Sequence, residues 1–190
     1  MTADRPRRAD AARNRIRVLE AAETVFTERG IEEPVEKVAQ AAGVGVGTVY
    51  RHYPTKRHLV EAIVARRMRR VVDEARILAA QGDPRTGLFD VMNRVMAEAI
   101  VKMHLGVTID KTGSAAAGAE PMAEIAGDLT AALATLLARA QQADAVRHDL
   151  GPTDILQTLY GLSAAAEHYR WNAAERSHAI AIAVDGLRPR

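Results

Sequence analysis

The stretch Ala39-Gln40-Ala41-Ala42-Gly43-Val44-Gly45-Val46-Gly47-Thr48-Val49-Tyr50-Arg51-His52-Tyr53-Pro54-Thr55-Lys56 decides the fold. It reads as two short helices around a glycine turn. Gly43 permits the positive φ that ends the first helix. Ala39 and Ala42 are small enough for the second helix to cross the first, and Val44 and Val49 bury the joint. Pro54 stops the second helix, because a residue before proline is pushed out of helical geometry. Thr55 is a good N-cap for the next helix. This is a helix-turn-helix. The outward residues of its second helix, Thr48, Arg51 and His52, with Tyr50 near the edge, are free to enter a major groove. Tyr53 is expected to point into the core.

Working outward, the apolar pattern is helical almost everywhere. Residues 1–9 are polar and basic and read as a flexible arm. A first helix is expected from Asp10 to Arg29, with Ile16, Leu19, Ala22, Val25 and Phe26 on one stripe and Gly30 beyond its end. Pro34 sets the start of the second helix. A fourth helix runs from Lys56 to Ala80, and Gln81-Gly82-Asp83-Pro84 is the clearest break in the chain. Further helices are expected over Thr86–Leu105, Pro121–Ala143, Thr153–Trp171 (capped by Thr153) and Ala173–Leu187, with a Gly/Ala/Ser-rich loop or weak helix over Gly106–Glu120. The expected fold is all-α, with nine or so helices. Residues 10–55 are expected to form a three-helix DNA-binding domain, 56–80 a connecting helix, and 81–190 a second helical domain.

Composition agrees with this division. The net charge of +2 is uneven: residues 1–80 carry 16 Lys/Arg against 11 Asp/Glu, and residues 81–190 carry 10 against 13. A basic N-terminal part is suited to a polyanion, and a mildly acidic C-terminal part is not. The absence of cysteine excludes a disulfide framework, a zinc finger and a cysteine nucleophile. No apolar run is long enough to cross a bilayer. The Arg-rich start lacks the apolar stretch of a signal peptide, so a cytoplasmic protein with no membrane partner is expected.

The residues Gly30-Ile31, Val35-Glu36-Lys37-Val38-Ala39, Ala42-Gly43-Val44 and Gly47-Thr48-Val49-Tyr50-Arg51-His52-Tyr53-Pro54-Thr55-Lys56 resemble the signature of the TetR family of transcriptional regulators. The resemblance implies that Thr48, Tyr50 and His52 contact phosphates or base edges. It implies that Lys56 reaches a phosphate, and that Gly45, Val46 and Gly47 lie nearest the bases. Two positions depart from the pattern. Pro34 stands where many members have a capping Thr, and Val46 stands where many have Lys or Ser, which leaves an apolar contact such as a thymine methyl. The Gly-Val-Gly-Val-Gly-Thr variant with Arg51-His52 looks like an actinobacterial-type branch. Leu136–Gln141, Ala145–Asp149 and Val184–Pro189 are similar to that branch's regulatory domain, which by resemblance pairs through its last two long helices and holds a small-molecule pocket.

Other residues carry sharper and blander readings. Arg13 and Arg15 are expected to touch the DNA backbone, whereas Arg66, Arg67, Arg69 and Arg70 read as a solvated helix face. Met92, Met96, Met103, His104, Met122, Tyr160, His168 and Trp171 are pocket candidates, although methionines at helical spacing are more often plain core. Leu159, Gly161, Leu162, Ala164 and Ala165, with Ile180, Ala183, Val184 and Leu187, form stripes suited to a homodimer interface. No metal-ligand spacing, catalytic constellation or cofactor motif is present, so no metal site, enzyme activity or cofactor is expected. The expected partners are a double-stranded DNA operator, an unidentified small-molecule effector and a second copy of the chain. The rival functions are an activator or architectural DNA binder, a small all-α enzyme, and a helical interaction module without DNA binding.

Overall fold

The structure is a computed structural model that describes residues 4–104 and 122–189, with side chains over 10–98 and 122–189. It contains eight helices and, among the described residues, no strand: α1 (Asp4–Arg29), α2 (Val35–Ala42), α3 (Val46–His52), α4 (Lys56–Gln81), α5 (Gly87–His104), α6 (Met122–Gln142), α7 (Pro152–His168) and α8 (Ala173–Leu187). The Gly106–Glu120 stretch lies outside the described residues.

Helix α1 starts at Asp4, so it takes in residues whose composition suggests a flexible arm. Pro6 does not prevent this, because it falls in the first turn, where backbone N–H groups have no helical partner. Ala9, Ala11 and Ala12 favour continuation. The buried stripe of α1 is Val18, Ala22, Val25 and Phe26, while Ile16 is 55% exposed. A stripe through Val18 keeps the four-residue step to Ala22, which Ile16 does not.

The chain divides into two compact units, and the division falls within α4 between Arg66 and Arg67, upstream of the Gln81–Pro84 stretch. In the N-terminal unit, α1 packs on α2 and α3, and α2 packs on α3. Its core joins the α1 stripe to Val35, Val38, Ala39 and Ala42 of α2, Val49 of α3, Tyr53, and Leu59 and Ile63 of α4.

The C-terminal unit holds the rest of α4 with α5 to α8. Helix α6 buries Ile125, Leu129, Ala132, Leu133, Leu136, Leu137 and Ala140 along one face, the spacing of an amphipathic helix. The end of α4 is held by Arg139 of α6. Its guanidinium donates to the carbonyls of Leu78 (2.9 Å), Ala79 (2.7 Å) and Gly82 (2.8 Å). A helix C-terminus leaves carbonyls unpaired and carries partial negative charge, so a guanidinium satisfies both. Together with ion pairs from Arg69 and Arg76 to Asp128, this ties the last turns of α4 to α6.

Both ends of α7 differ from the expected span. The helix begins at Pro152 behind Gly151, not at Thr153, and the Gly151 N–H donates to the Asp154 carboxylate at 2.7 Å. It ends at His168, before Trp171. Helix α8 keeps its expected span and starts on a capping box. Asn172 Oδ1 accepts from the N–H groups of Ala174 and Glu175, and Glu175 accepts from the Asn172 N–H.

Candidate nucleic-acid interface

The helix-turn-helix is built by the contacts that end α2. Gly43 adopts φ 64°, ψ 39°, and its N–H donates to the Gln40 carbonyl at 3.1 Å. The Val44 N–H reaches back to the Ala39 carbonyl at 3.0 Å, completing a Schellman motif. Arg17 of α1 donates to the carbonyl of Ala42 at 2.6 Å. The positive φ favours glycine here, and a Cβ would lie 3.0 Å from that guanidinium, whose flexible end would have to give way. Nothing in the local sequence separates Arg17 in this role from the other arginines of the basic N-terminus.

Pro34 occupies the N-cap of α2 in extended geometry (φ −71°, ψ 151°) and makes no side-chain cap bond. Helix α3 starts after Gly45 and ends at Tyr53, whose N–H donates to the Val49 carbonyl at 2.8 Å. Thr55 caps α4, accepting from the His58 N–H at 3.2 Å.

This framing sorts the residues of α3. Val49 and Tyr53 are buried, Tyr53 pointing inward as the sequence implies. Tyr50 is 41% exposed, Arg51 is exposed, and Val46, Thr48 and His52 are partly exposed. Arg51 makes no hydrogen bond or ion pair among the described residues. Gly45 and Gly47 are exposed. Lys56 opens α4 with its ammonium 5.5 Å from the centre of the Phe26 ring, a cation–π contact that leaves it partly exposed. Arg15 lies 5.8 Å from the centre of the Tyr53 ring, and Arg13 forms an exposed ion pair with Asp10. Burial, then the charges of Arg15 and Arg51, push the His52 imidazole below its usual pKa.

The comparisons with known proteins agree with this geometry. Residues 18–63 match the family model of bacterial regulatory proteins of the tetR family, and residues 83–189 match that of the SbtR-like transcriptional regulator C-terminal domain. The crystal structure of a TetR transcription regulatory protein from Mycobacterium vanbaalenii is 37% identical, covering 96% of this chain and 99% of that one, with a TM-score of 0.66. The chain belongs to the TetR family. A TetR transcriptional regulator from Streptomyces coelicolor is 29% identical over 92% of this chain and 98% of its own, with a TM-score of 0.68. Both structures fit the actinobacterial-type branch that the sequence resembles. An HTH-type transcriptional regulator of Staphylococcus aureus (strain USA300) is 38% identical over 60 residues, which is 31% of this chain and 32% of that protein.

The C-terminal unit of this TetR family chain distributes its candidate residues differently from the sequence expectation. Met92 and Met96 are buried, and the Ser163 hydroxyl donates to the Met96 sulfur at 3.4 Å. Met122 and Trp171 are partly exposed. Tyr160 is 73% exposed, and His168 is exposed with its ring edge-on to Tyr169. Neither faces the interior of the chain. The side chains of Met103 and His104 lie outside the described residues.

The charged group inside this unit is one that sequence reasoning missed. Glu98 of α5 is buried, accepts from Arg67 of α4 at 2.5 Å and forms an ion pair with Arg94 at 3.3 Å. Arg94 also reaches Glu74 at 3.1 Å. The run Arg66 to Arg70 is therefore not a plain solvated face: Arg66 pairs with Glu20, Arg67 with Glu98 and Arg69 with Asp128. The four-residue step from Arg94 to Glu98 is the available signal, because it places a carboxylate beside a guanidinium on one helix face.

The interface stripes also divide. Leu159, Ile180 and Leu187 are buried within the chain. Gly161 and Ala164 are exposed, and Leu162, Ala165, Ala183 and Val184 are partly exposed. Among the described residues, no three potential ligands cluster around a metal position, and no helix is long and apolar enough to cross a membrane.

Proposed function

We propose that this TetR family regulator is a ligand-responsive repressor that binds a pseudo-palindromic operator as a homodimer. The observation that carries the DNA half is the sorting of α3. Its buried side chains fix the helix against α1 and α2, while Thr48, Tyr50, Arg51 and His52 lie outward beside Lys56. These residues supply phosphate contacts and base-edge readout, with Arg13 and Arg15 of α1 adding backbone contacts. Two such helices in a dimer would sit about 34 Å apart, one turn of DNA.

The homodimer reading rests on α7 and α8. Tyr160 (73% exposed), Gly161 and Ala164 present an apolar and small-residue face on α7, and Ile182 (61% exposed) does so on α8. Packed against a second copy, they would make a four-helix interface at a shallow angle. The effector reading rests on the interior of residues 81–190, where Met92 is buried, Met96 meets Ser163 of α7 and Glu98 offers a buried charge. An effector would act by binding one state of the dimer better than the other. We assign residues 10–55 to DNA binding, 56–80 to the connection and 81–190 to regulation.

A gel shift of full-length protein with the DNA upstream of its own gene tests the function. Retardation that survives excess unrelated duplex is expected, and its absence would count against the reading. Sedimentation tests the pair: a dimer at micromolar concentration is expected, and a monomer would refute the interface.

A further inference from the structure

We propose that Val46 reads the C5-methyl group of a thymine in the operator, and that the bare backbone at Gly45 and Gly47 lets it reach that methyl. The proposal deepens the DNA-binding reading and rests on it.

The glycines of this chain are not alike. Gly43 is fixed by its positive φ. A Cβ at Gly82 would lie 2.7 Å from the Leu78 carbonyl oxygen, so the chain itself requires glycine there. Gly45 and Gly47 have no such reason. Gly45 has φ −70° and ψ 146°, open to any residue, and Gly47 lies inside α3. A Cβ on either would meet no atom within 4 Å. Alanine at 47 would even favour the helix. Nothing in the protein itself requires glycine at these two positions, as is also true of Gly127, Gly161 and Gly186. What sets Gly45 and Gly47 apart is that they flank the first residue of α3, where bare backbone lets a duplex surface approach closely.

Between the two glycines stands one side chain. Val46 is partly exposed and has no hydrogen-bonding group. The polar readers Thr48 and Arg51 come later in α3. The beginning of the recognition helix therefore cannot read donors or acceptors with side chains. The major-groove edge offers a single apolar feature, the thymine C5-methyl. Val46 matches that group in chemistry, and the flanking glycines remove the bulk that would hold it away.

The test begins by selecting duplexes from a random-sequence pool with the full-length protein. Each thymine of the selected duplex is then replaced by deoxyuridine, which removes the methyl alone. At one thymine per half-site, the wild type should lose roughly fourfold in affinity per methyl, the worth of one buried methyl group. Val46→Ala should bind the thymine and deoxyuridine duplexes alike, while Val46→Ile keeps the difference. Gly45→Ala and Gly47→Ala should melt at or above the wild-type temperature yet bind the selected duplex at least roughly tenfold more weakly, about 1.4 kcal/mol. A wild type indifferent to every replacement, or a Val46→Ala protein that still senses the methyl, overturns the proposal while DNA binding stands. Wild-type affinity in both alanine variants overturns the close approach. A pool that converges on no sequence refutes the DNA-binding reading itself.

Discussion

The single arginine of α3 and those of α4 show how differently one residue type is used along the chain. Arg51 of α3 is exposed and makes no hydrogen bond or ion pair among the described residues. On α4, Arg67 is held by buried Glu98, and Arg69 and Arg76 share Asp128 at 2.5 and 2.7 Å. The hydrogen bond from Arg69, aided by the charge of Arg76, holds the Asp128 carboxyl below its ordinary pKa. A cation satisfied within the chain stabilises the chain. One left facing water remains available to a phosphate. The basic character of the N-terminal half is therefore not one continuous DNA surface. On the proposed reading the DNA-facing share is α3 with the start of α4 and Arg13 and Arg15 of α1, whereas Arg67, Arg69 and Arg76 of α4 are paired within the chain.

Removing a structural cation should break this contrast most visibly. Arg67→Met leaves buried Glu98 with the longer Arg94 ion pair in place of its shortest one, and removing a partner from a buried charge is costly, so the variant should lose roughly 3 kcal/mol of stability in urea denaturation. Glu98→Gln, which removes the charge, should lose less. A loss below about 0.5 kcal/mol for Arg67→Met would show that water reaches the pair. Arg139→Ala removes the guanidinium from three carbonyls at the end of α4, of which that of Leu78 keeps the Gly82 N–H, and should cost roughly 2 kcal/mol by the same measurement.

The outward cations should behave in the opposite way. Arg51→Ala and Lys56→Ala should change stability by no more than about 0.5 kcal/mol. Each should weaken binding to the upstream duplex, and each lost phosphate contact should lower the salt slope by about one. Tyr50→Phe and Thr48→Ala should weaken it less. If stability falls while DNA affinity holds, the assignment of outward and inward roles is reversed.

The smallest effect sharpens the comparison at His52. In the free protein, burial, Arg15 and Arg51 disfavour its charged form. Folding therefore becomes slightly less favourable as pH falls below the ordinary histidine value of about 6.5, because the unfolded chain takes up the proton first. A nearby phosphate would favour the charged form, so DNA affinity should rise modestly between pH 7.5 and about 6. His52→Gln should flatten that rise, and an unchanged pH profile would place His52 away from the phosphates.

The helices and the helix-turn-helix are legible in the sequence because local chemistry fixes them. Gly43 and Pro54 act through their own backbone geometry and Thr55 through a hydroxyl that caps a neighbouring N–H, none of which needs knowledge of distant residues. Pairings across the sequence are not legible in this way: Arg17 with the Ala42 carbonyl, Arg67 with Glu98, and Arg139 with the end of α4. Periodicity also leaves the buried edge of a stripe ambiguous by a residue or two. Val18 is buried in place of Ile16, and Leu159, Ile180 and Leu187 face their own chain. Tyr160 lies outside rather than in a pocket for the same reason. An apolar residue on an amphipathic helix looks the same in sequence whether it meets its own core or a second copy.

That ambiguity makes Ala164→Glu a sharp probe, since an exposed residue can take a charge without disturbing the protomer. It should yield a folded monomer with native circular dichroism. An unchanged dimer would move the interface elsewhere.

The central claim is that the outward face of α3 binds operator DNA. Fluorescence anisotropy of a labelled duplex from upstream of the protein's own gene, titrated with full-length protein, tests it most directly. The account predicts saturable binding with two chains per site that excess random duplex does not abolish, and its loss in a folded Arg51→Ala/Lys56→Ala double variant. Binding no tighter than to random duplex, or full affinity in the double variant, would contradict it.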